Sequence, residues 1–284
     1  MESSSHPELT HGVLIPQAPP SREVAPGSGS VLHPRAVVER GALLGPGCRI
    51  GPGAVLGSEV RLGANVTVGA NAVLSGRLRI GDDVRIGPCA VLGSEPQDLS
   101  FNGAPTGVVI GDRAWIREGA TVHRASRAGT DTVVEEDVLL MANSHVAHDC
   151  RVGAGAILSN GALLAGHVHV GRRAIVSGNT VVHQFVRIGT LAMIGGASRV
   201  SRDVPPFALL VGDSRLRGVN RVGLKRAGLS AGALDELSEL FRVLRRAPNP
   251  LSVLTRLDER AGTPEGRELV EFLGAETRRG FCRF

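Results

Sequence analysis

The sequence predicts an all-β fold of stacked parallel coils, a parallel β-helix, followed by a short helical segment. Three observations carry that prediction: an aliphatic residue recurs at every sixth position, glycine recurs beside it, and aromatic residues make up only 3% of the chain. From Val38, the sixth residues are Val38, Leu44, Ile50, Leu56, Leu62, Val68, Leu74, Ile80, Ile86 and Leu92, and eight of these ten precede a glycine. In the same phase to Val200 the series has 28 positions, of which 25 are Val, Leu or Ile; Asp98, Ala104 and Ala128 are the exceptions. The position two residues earlier is also apolar, as at Ala36, Ala42, Cys48, Ala54 and Val60. One large and one small apolar residue per hexad implies a short strand with an inward side chain, then a corner where Gly, Asn or Asp accepts positive φ. Hexapeptide periodicity is a signature of a parallel β-helix. Three hexads close a coil of about 18 residues, and about nine coils at the ~4.8 Å strand spacing make a prism roughly 45 Å long.

Residues 1–30 lack a basic start and a long apolar run, so they read as a flexible extension and not as a signal peptide. The β-helix is expected over 31–206. Two polar, turn-rich stretches, 94–108 and 124–132, interrupt it without changing its phase. They are expected to replace hexads and bulge out as loops, where binding residues tend to sit. The repeat stops at Asp203-Val204-Pro205-Pro206. Residues 207–284 are then a connecting segment, to about 228, and a C-terminal helical domain expected to cap the prism. Ser230 is the expected N-cap of a helix that places Leu234, Leu237, Leu240, Phe241 and Leu244 on one face. Pro248 and Pro250 end it, with further helical segments near 251–259 and 264–278.

A formal net charge of +5 points to an anionic partner. Nucleic acid is excluded as that partner, because the basic residues form no dense run and lack interleaved aromatics. No stretch is long and apolar enough for a membrane span. Cys48, Cys89, Cys150 and Cys282 show no CxxC pairing. The three within the repeat are expected to be small buried thiols, which fits a reducing compartment.

Six of the nine histidines (His123, His145, His148, His167, His169, His183) fall within about sixty residues, with Asp149 beside His148. A coil of about 18 residues stacks Asp149, His167 and Phe185 in one column and His148, Gly166 and Gln184 in the next. Such a patch suits acyl transfer. A neutral imidazole serves as general base near pH 7, a carboxylate orients it, and the N–H of a glycine can donate to an oxyanion. No Ser or Cys stands out as a nucleophile, so direct attack by an acceptor hydroxyl is the simpler scheme. A zinc site between subunits remains an alternative use of clustered histidines.

The run MANSHVAHDCRVGAGAILSNGALLAGHVHVG (141–171), with VVHQFVRIG (181–189) and DVPPFALLVGD (203–213), closely resembles the UDP-N-acetylglucosamine O-acyltransferase family. EPQDL (95–99) and GVNRVGLKRAG (218–228) resemble further motifs of that family. The resemblance implies left-handed coils, a homotrimer in the cytoplasm, no cofactor and no metal. It also implies transfer of an (R)-3-hydroxyacyl chain from acyl carrier protein to the 3-hydroxyl of UDP-N-acetylglucosamine, opening lipid A synthesis. His148 would be the general base, Asp149 its partner and Gly166 the oxyanion donor. Asp98, His145, His167, His183 and Gln184 would bind the substrate. Asn220 and Arg226 would hold the nucleotide from a neighbouring subunit, and Met193, Gly195 and Gly196 would border the acyl groove. Ser100 and Ala227 depart from the family pattern, which more often has basic residues there.

Overall fold

The computed structural model describes residues 27–284, so most of the expected N-terminal extension lies outside the described residues. The coils are already in place where the described residues start: Gly27 N–H bonds Leu44 O, and the first strand is Val31–Leu32. The architecture is a left-handed parallel β-helix. Three sheets of eleven, nine and eight short strands form its walls, called sheets 1, 2 and 3 here. Most strands are two residues long, one side chain outward and one inward. The inward residues are those of the six-residue series, and Leu56, Leu74, Leu92, Ile116, Leu140 and Leu158 are fully buried with alanines or Cys48 and Cys150 between them. Among the described residues no buried side chain of the regular coils is Phe or Trp, and Phe207, the largest fully buried side chain, sits where the stack ends. Cys89 departs from the expected burial: it occupies a corner at φ +58° and faces solvent.

Regular coils pair residues 18 apart, as in Val73 with Val91. At the first interruption Ile86 pairs with Ile116, 30 residues on, and at the second Ile116 pairs with Leu140, 24 residues on. The two stretches are therefore insertions of twelve and six residues into complete coils, not replacements of hexads. Whole-hexad insertions leave the phase intact. Both leave the same corner, between sheet 2 and sheet 3: one follows the strand Val91–Ser94, the other Thr121–His123.

The outer rows of the three walls differ. Sheet 2 presents Val37, Val55, Val73, Val91, Thr121, His145, Leu163 and Val181 in register. The later part of sheet 1 presents Leu139, Ile157, Ile175 and Met193. Sheet 3 presents Arg61, Arg79, Arg151, His169 and Arg187, with Val109 and Val133 between.

Beyond Val200 the expected connecting segment is more structured than its sequence suggested. Ala208–Val211 extends sheet 1 beside Met193–Ile194, then turns through Gly212 and Ser214 into the antiparallel strand Arg215–Val219. Helix α1 (Arg221–Arg226) follows, then α2 (Ala231–Arg246), a 3-10 turn (Pro250–Val253), α3 (Leu254–Asp258) and α4 (Pro264–Gly274). Ser230 caps α2 by accepting from Ala233 N–H at 3.2 Å, and its five predicted apolar residues are buried. Helix α4 stops at Gly274, short of 278. The remaining tail is extended and bridges back onto the prism, Phe281 to Asp203 and Arg283 to Arg215.

That tail closes over an ion pair at the prism end. Asp203 is fully buried, accepting from Arg187 N–H at 2.8 Å and Nε at 2.7 Å, while Phe272 lies against the guanidinium at 4.5 Å. Removing one partner leaves the other desolvated without compensation. Asp203→Ala is expected to destabilise the chain by about 3 kcal/mol, the lower end of the range for buried pairs because Arg187 stays partly exposed. Urea unfolding at neutral pH would measure it, and a loss below about 1 kcal/mol would deny the pair that role.

Candidate active site

The corner between sheets 2 and 3 brings the predicted columns together. Asp149, His167 and Phe185 take φ values of +57°, +61° and +65° on three successive coils. Positive φ turns these side chains outward into one ladder, and His167 and Phe185 stack at 4.6 Å with planes 15° apart. For a bulky residue such as Phe185 this backbone region is unfavourable, so neighbours must hold it. Here the corner-to-corner bonds between coils, His167 N–H to His148 O and Phe185 N–H to Gly166 O, do so.

His148 and Asp149 form the centre. Nδ1 of His148 lies 2.7 Å from Oδ2 of Asp149. The carboxylate also accepts from Ser126 Oγ at 2.7 Å and from Ser126 N–H at 3.2 Å, and His167 Nε2 stands 3.6 Å away. Burial alone would raise the Asp149 pKa, but the hydrogen bonds from His148 and Ser126, with the nearby His167, outweigh it and hold the carboxyl below its ordinary range. An ionised Asp149 accepting at Oδ2 fixes the proton of neutral His148 on Nδ1. The lone pair of Nε2 then faces the groove lined by Gln97, His145, Leu163, Gly166, Val181 and Gln184.

Gly166 is required here for space and not for φ. A Cβ on it would lie 2.5 Å from His148 Cε1 and 2.6 Å from Nε2. Its N–H finds no backbone acceptor among the described residues. Gly166→Ala would push the imidazole aside while leaving the backbone unstrained. Turnover is expected to fall on the order of 10²-fold, as misplacing a reacting group by about 1 Å does. An unchanged melting temperature with the lower kcat would separate misplacement from misfolding, and wild-type kcat would refute the packing argument.

His145 stands on the outer row of sheet 2, its Nδ1 2.7 Å from Thr121 Oγ1 and its ring edge-on to His123 at 5.0 Å. Burial, then the charges His123 and His148 can carry, push its pKa down to about 4, so it is neutral near pH 7. Gln184 and His183 are exposed on the next coil, and His183 Nδ1 lies 3.1 Å from Gln184 O.

Asp98, in the first insertion, has its carboxylate held by Ser100 N–H at 2.9 Å and Ser100 Oγ at 2.8 Å, and those bonds lower its pKa. The serine that departs from the family pattern thus engages the predicted sugar contact. Asn220 caps α1, accepting from Gly223 N–H at 3.1 Å and donating to Leu191 O at 2.9 Å, so both ends of its amide are engaged within the chain. Arg226 is exposed at the end of α1. Neither lines the His148 groove of its own chain. Met193, Gly195 and Gly196 lie on sheet 1 and the turn after it, also away from that groove.

Sequence reasoning did not assign Ser126, Gln97, Thr121 or His123 to the site. Counting hexads from Val38 would have found the first two, because it puts both insertions on the corner that carries His148. His123 is buried with an unpartnered Nδ1, and no pattern in the repeat signals that.

The facing atoms of His148, Asp149 and His167 lie within 4.8 Å of one another, a spacing open to a divalent ion. However, 2.7 Å between Nδ1 and Oδ2 is shorter than the about 3.3 Å that tetrahedral zinc sets between an imidazole and a carboxylate donor. It is the separation of a shared proton. Among the described residues no helix is long and apolar enough to cross a membrane.

Comparison with known proteins agrees with this geometry. Residues 59–94 and 131–166 match the family described as bacterial transferase hexapeptide (six repeats), and residues 203–282 match UDP-N-acetylglucosamine O-acyltransferase, domain 2. The UDP-N-acetylglucosamine acyltransferase from Campylobacter jejuni superposes with a TM-score of 0.84 at 36% identity, covering 89% of this chain and 100% of that one. The corresponding enzyme from Bacteroides fragilis 9343 gives 0.80 at 35% identity, over 89% and 98%. The acyl-[acyl-carrier-protein]–UDP-N-acetylglucosamine O-acyltransferase of Thermodesulfovibrio yellowstonii is 46% identical over 198 residues, 68% of this chain and 76% of that protein. Hexapeptide coils, the His148–Asp149 pair on their corner and these likenesses together place the chain in the family of acyl-[acyl-carrier-protein]–UDP-N-acetylglucosamine O-acyltransferases.

Proposed function

We propose that the chain transfers an (R)-3-hydroxyacyl group from acyl carrier protein to the 3-hydroxyl of UDP-N-acetylglucosamine, the first step of lipid A synthesis, by general-base catalysis. The observation that carries this reading is the 2.7 Å contact between His148 Nδ1 and Asp149 Oδ2, which leaves Nε2 as a free base in an open groove. Nε2 takes the proton of the acceptor hydroxyl as its oxygen attacks the thioester carbonyl. Asp149 stabilises the imidazolium that forms. The N–H of Gly166 faces the developing oxyanion. On collapse the C–S bond breaks and the imidazolium returns its proton to the leaving thiolate. His167 and Gln184 position the sugar, with His145, His183 and Asp98 around it.

The working unit in this reading is a cytoplasmic homotrimer. Sheet 2 and the later part of sheet 1 offer aliphatic outer rows, whereas sheet 3 is largely basic. Apolar rows of this extent call for a partner surface, and two different faces on each copy suit a closed ring in which unlike faces meet. A ring of that kind would let Asn220 and Arg226 of one subunit, and the groove edge at Met193, Gly195 and Gly196, approach the His148 site of the next. The test is turnover of UDP-N-acetylglucosamine with a panel of (R)-3-hydroxyacyl carrier proteins, together with the mass of the complex in solution. Ester product from at least one donor is expected. Turnover only with a 3-amino sugar nucleotide would reject the O-acyl assignment.

A further inference from the structure

A second groove lies behind the same corner, on the sheet 3 side. Arg127 from the second insertion, Arg278 from the C-terminal tail, and His169 and Arg187 from sheet 3 wall it, His167 and Phe185 lie between it and His148, and Glu276 stands in it. We propose that this groove binds a phosphate group.

The charges argue for it. Arg187 is already compensated by buried Asp203. Arg127 and Arg278 form no ion pair among the described residues. Arg127 and Arg278, 151 residues apart in sequence, line the same groove, and like charges brought to one groove without an anion repel. The arrangement is also preset. Arg278 lies 4.8 Å over the Phe185 ring, and Phe185 stacks on His167. A planar guanidinium held this way offers paired N–H donors that match phosphate oxygens. Both arginines disfavour a charge on His167, behind burial as the main cause, so the groove and the catalytic corner share a residue. Glu276 is the one carboxylate among the described residues that line the groove, and it weakens anion binding without cancelling two arginines.

Phosphate is common to both substrates of the proposed reaction: the acceptor carries a diphosphate and the donor's prosthetic arm a phosphodiester. Which of them fills the groove rests on the acyl-transfer reading; the phosphate site itself does not.

The experiment titrates inorganic diphosphate into the full-length wild type, the Arg127→Ala/Arg278→Ala double variant and the Arg127→Lys/Arg278→Lys variant. Calorimetry reads affinity, and the ring signals of His167 and His169 report the location. The double alanine variant is expected to bind on the order of 10- to 100-fold more weakly, the loss associated with charge-assisted hydrogen bonds, and to lose the shifts at His169. The lysine variant should recover only part, since it keeps charge without the fork. Equal affinity in wild type and double alanine variant, or no movement of His167 and His169 in wild type, overturns the proposal. Steady-state assays then assign the source. A higher KM for sugar nucleotide or for carrier protein names the substrate that fills the groove. Lost diphosphate binding with both KM values unchanged supports a site for a separate phosphate-bearing effector. Absence of turnover in wild type would reject the acyl-transfer reading while leaving the titration intact.

Discussion

His148→Ala is expected to lower kcat by about 10²–10⁴-fold, the range for removing a general base. The variant should keep its fold. His148 projects from a corner outside the aliphatic core, and in its absence Asp149 keeps both bonds from Ser126. Circular dichroism, melting temperature and kcat on the same preparation test this directly. Wild-type turnover would remove His148 from the reaction. Loss of turnover with loss of the cooperative melt would instead assign it to the fold.

Asp149→Asn is expected to cost nearly as much, for a different reason. Ser126 N–H and Ser126 Oγ both donate to the carboxylate. His148 Nδ1 and Ser126 Oγ share the one oxygen Oδ2. An asparagine whose carbonyl oxygen takes that place keeps both bonds, with its NH₂ in the place of Oδ1, so the imidazole proton stays on Nδ1. What is lost is the negative charge that stabilises the imidazolium. The shape and the tautomer are kept and the charge is removed, so kcat should fall on the order of 10²-fold or more with KM much less affected. Wild-type kcat in this variant would refute the role of the charge.

The sequence alone determined the architecture of this protein. A six-residue period with one large and one small apolar residue admits no other regular core, because strand alternation and corner glycines then repeat around a closed coil. The same period located the corner that carries the candidate site, since residues one coil apart are vertical neighbours. Asp149, His167 and Phe185 could therefore be stacked by counting, and ring contacts of 4.6 Å follow from that stacking. The cap of α2 at Ser230 was legible because N-capping is a local bond.

Tertiary structure decided what depends on contacts between segments without a shared period. Ser126 reaches Asp149 because an insertion of six residues leaves the corner one coil away and folds back on it. Asp98 and Asn220 matched motif positions, yet Ser100, Gly223 and Leu191 engage their polar atoms. The hairpin after Val200 and the extended tail after Gly274 owe their form to the open end of the prism. Unpaired strand edges and Phe207 there must be covered by whatever chain follows. Arg278 meets Phe185 for the same reason: the tail returns to the prism end to satisfy that edge, and only the folded chain brings the two within reach.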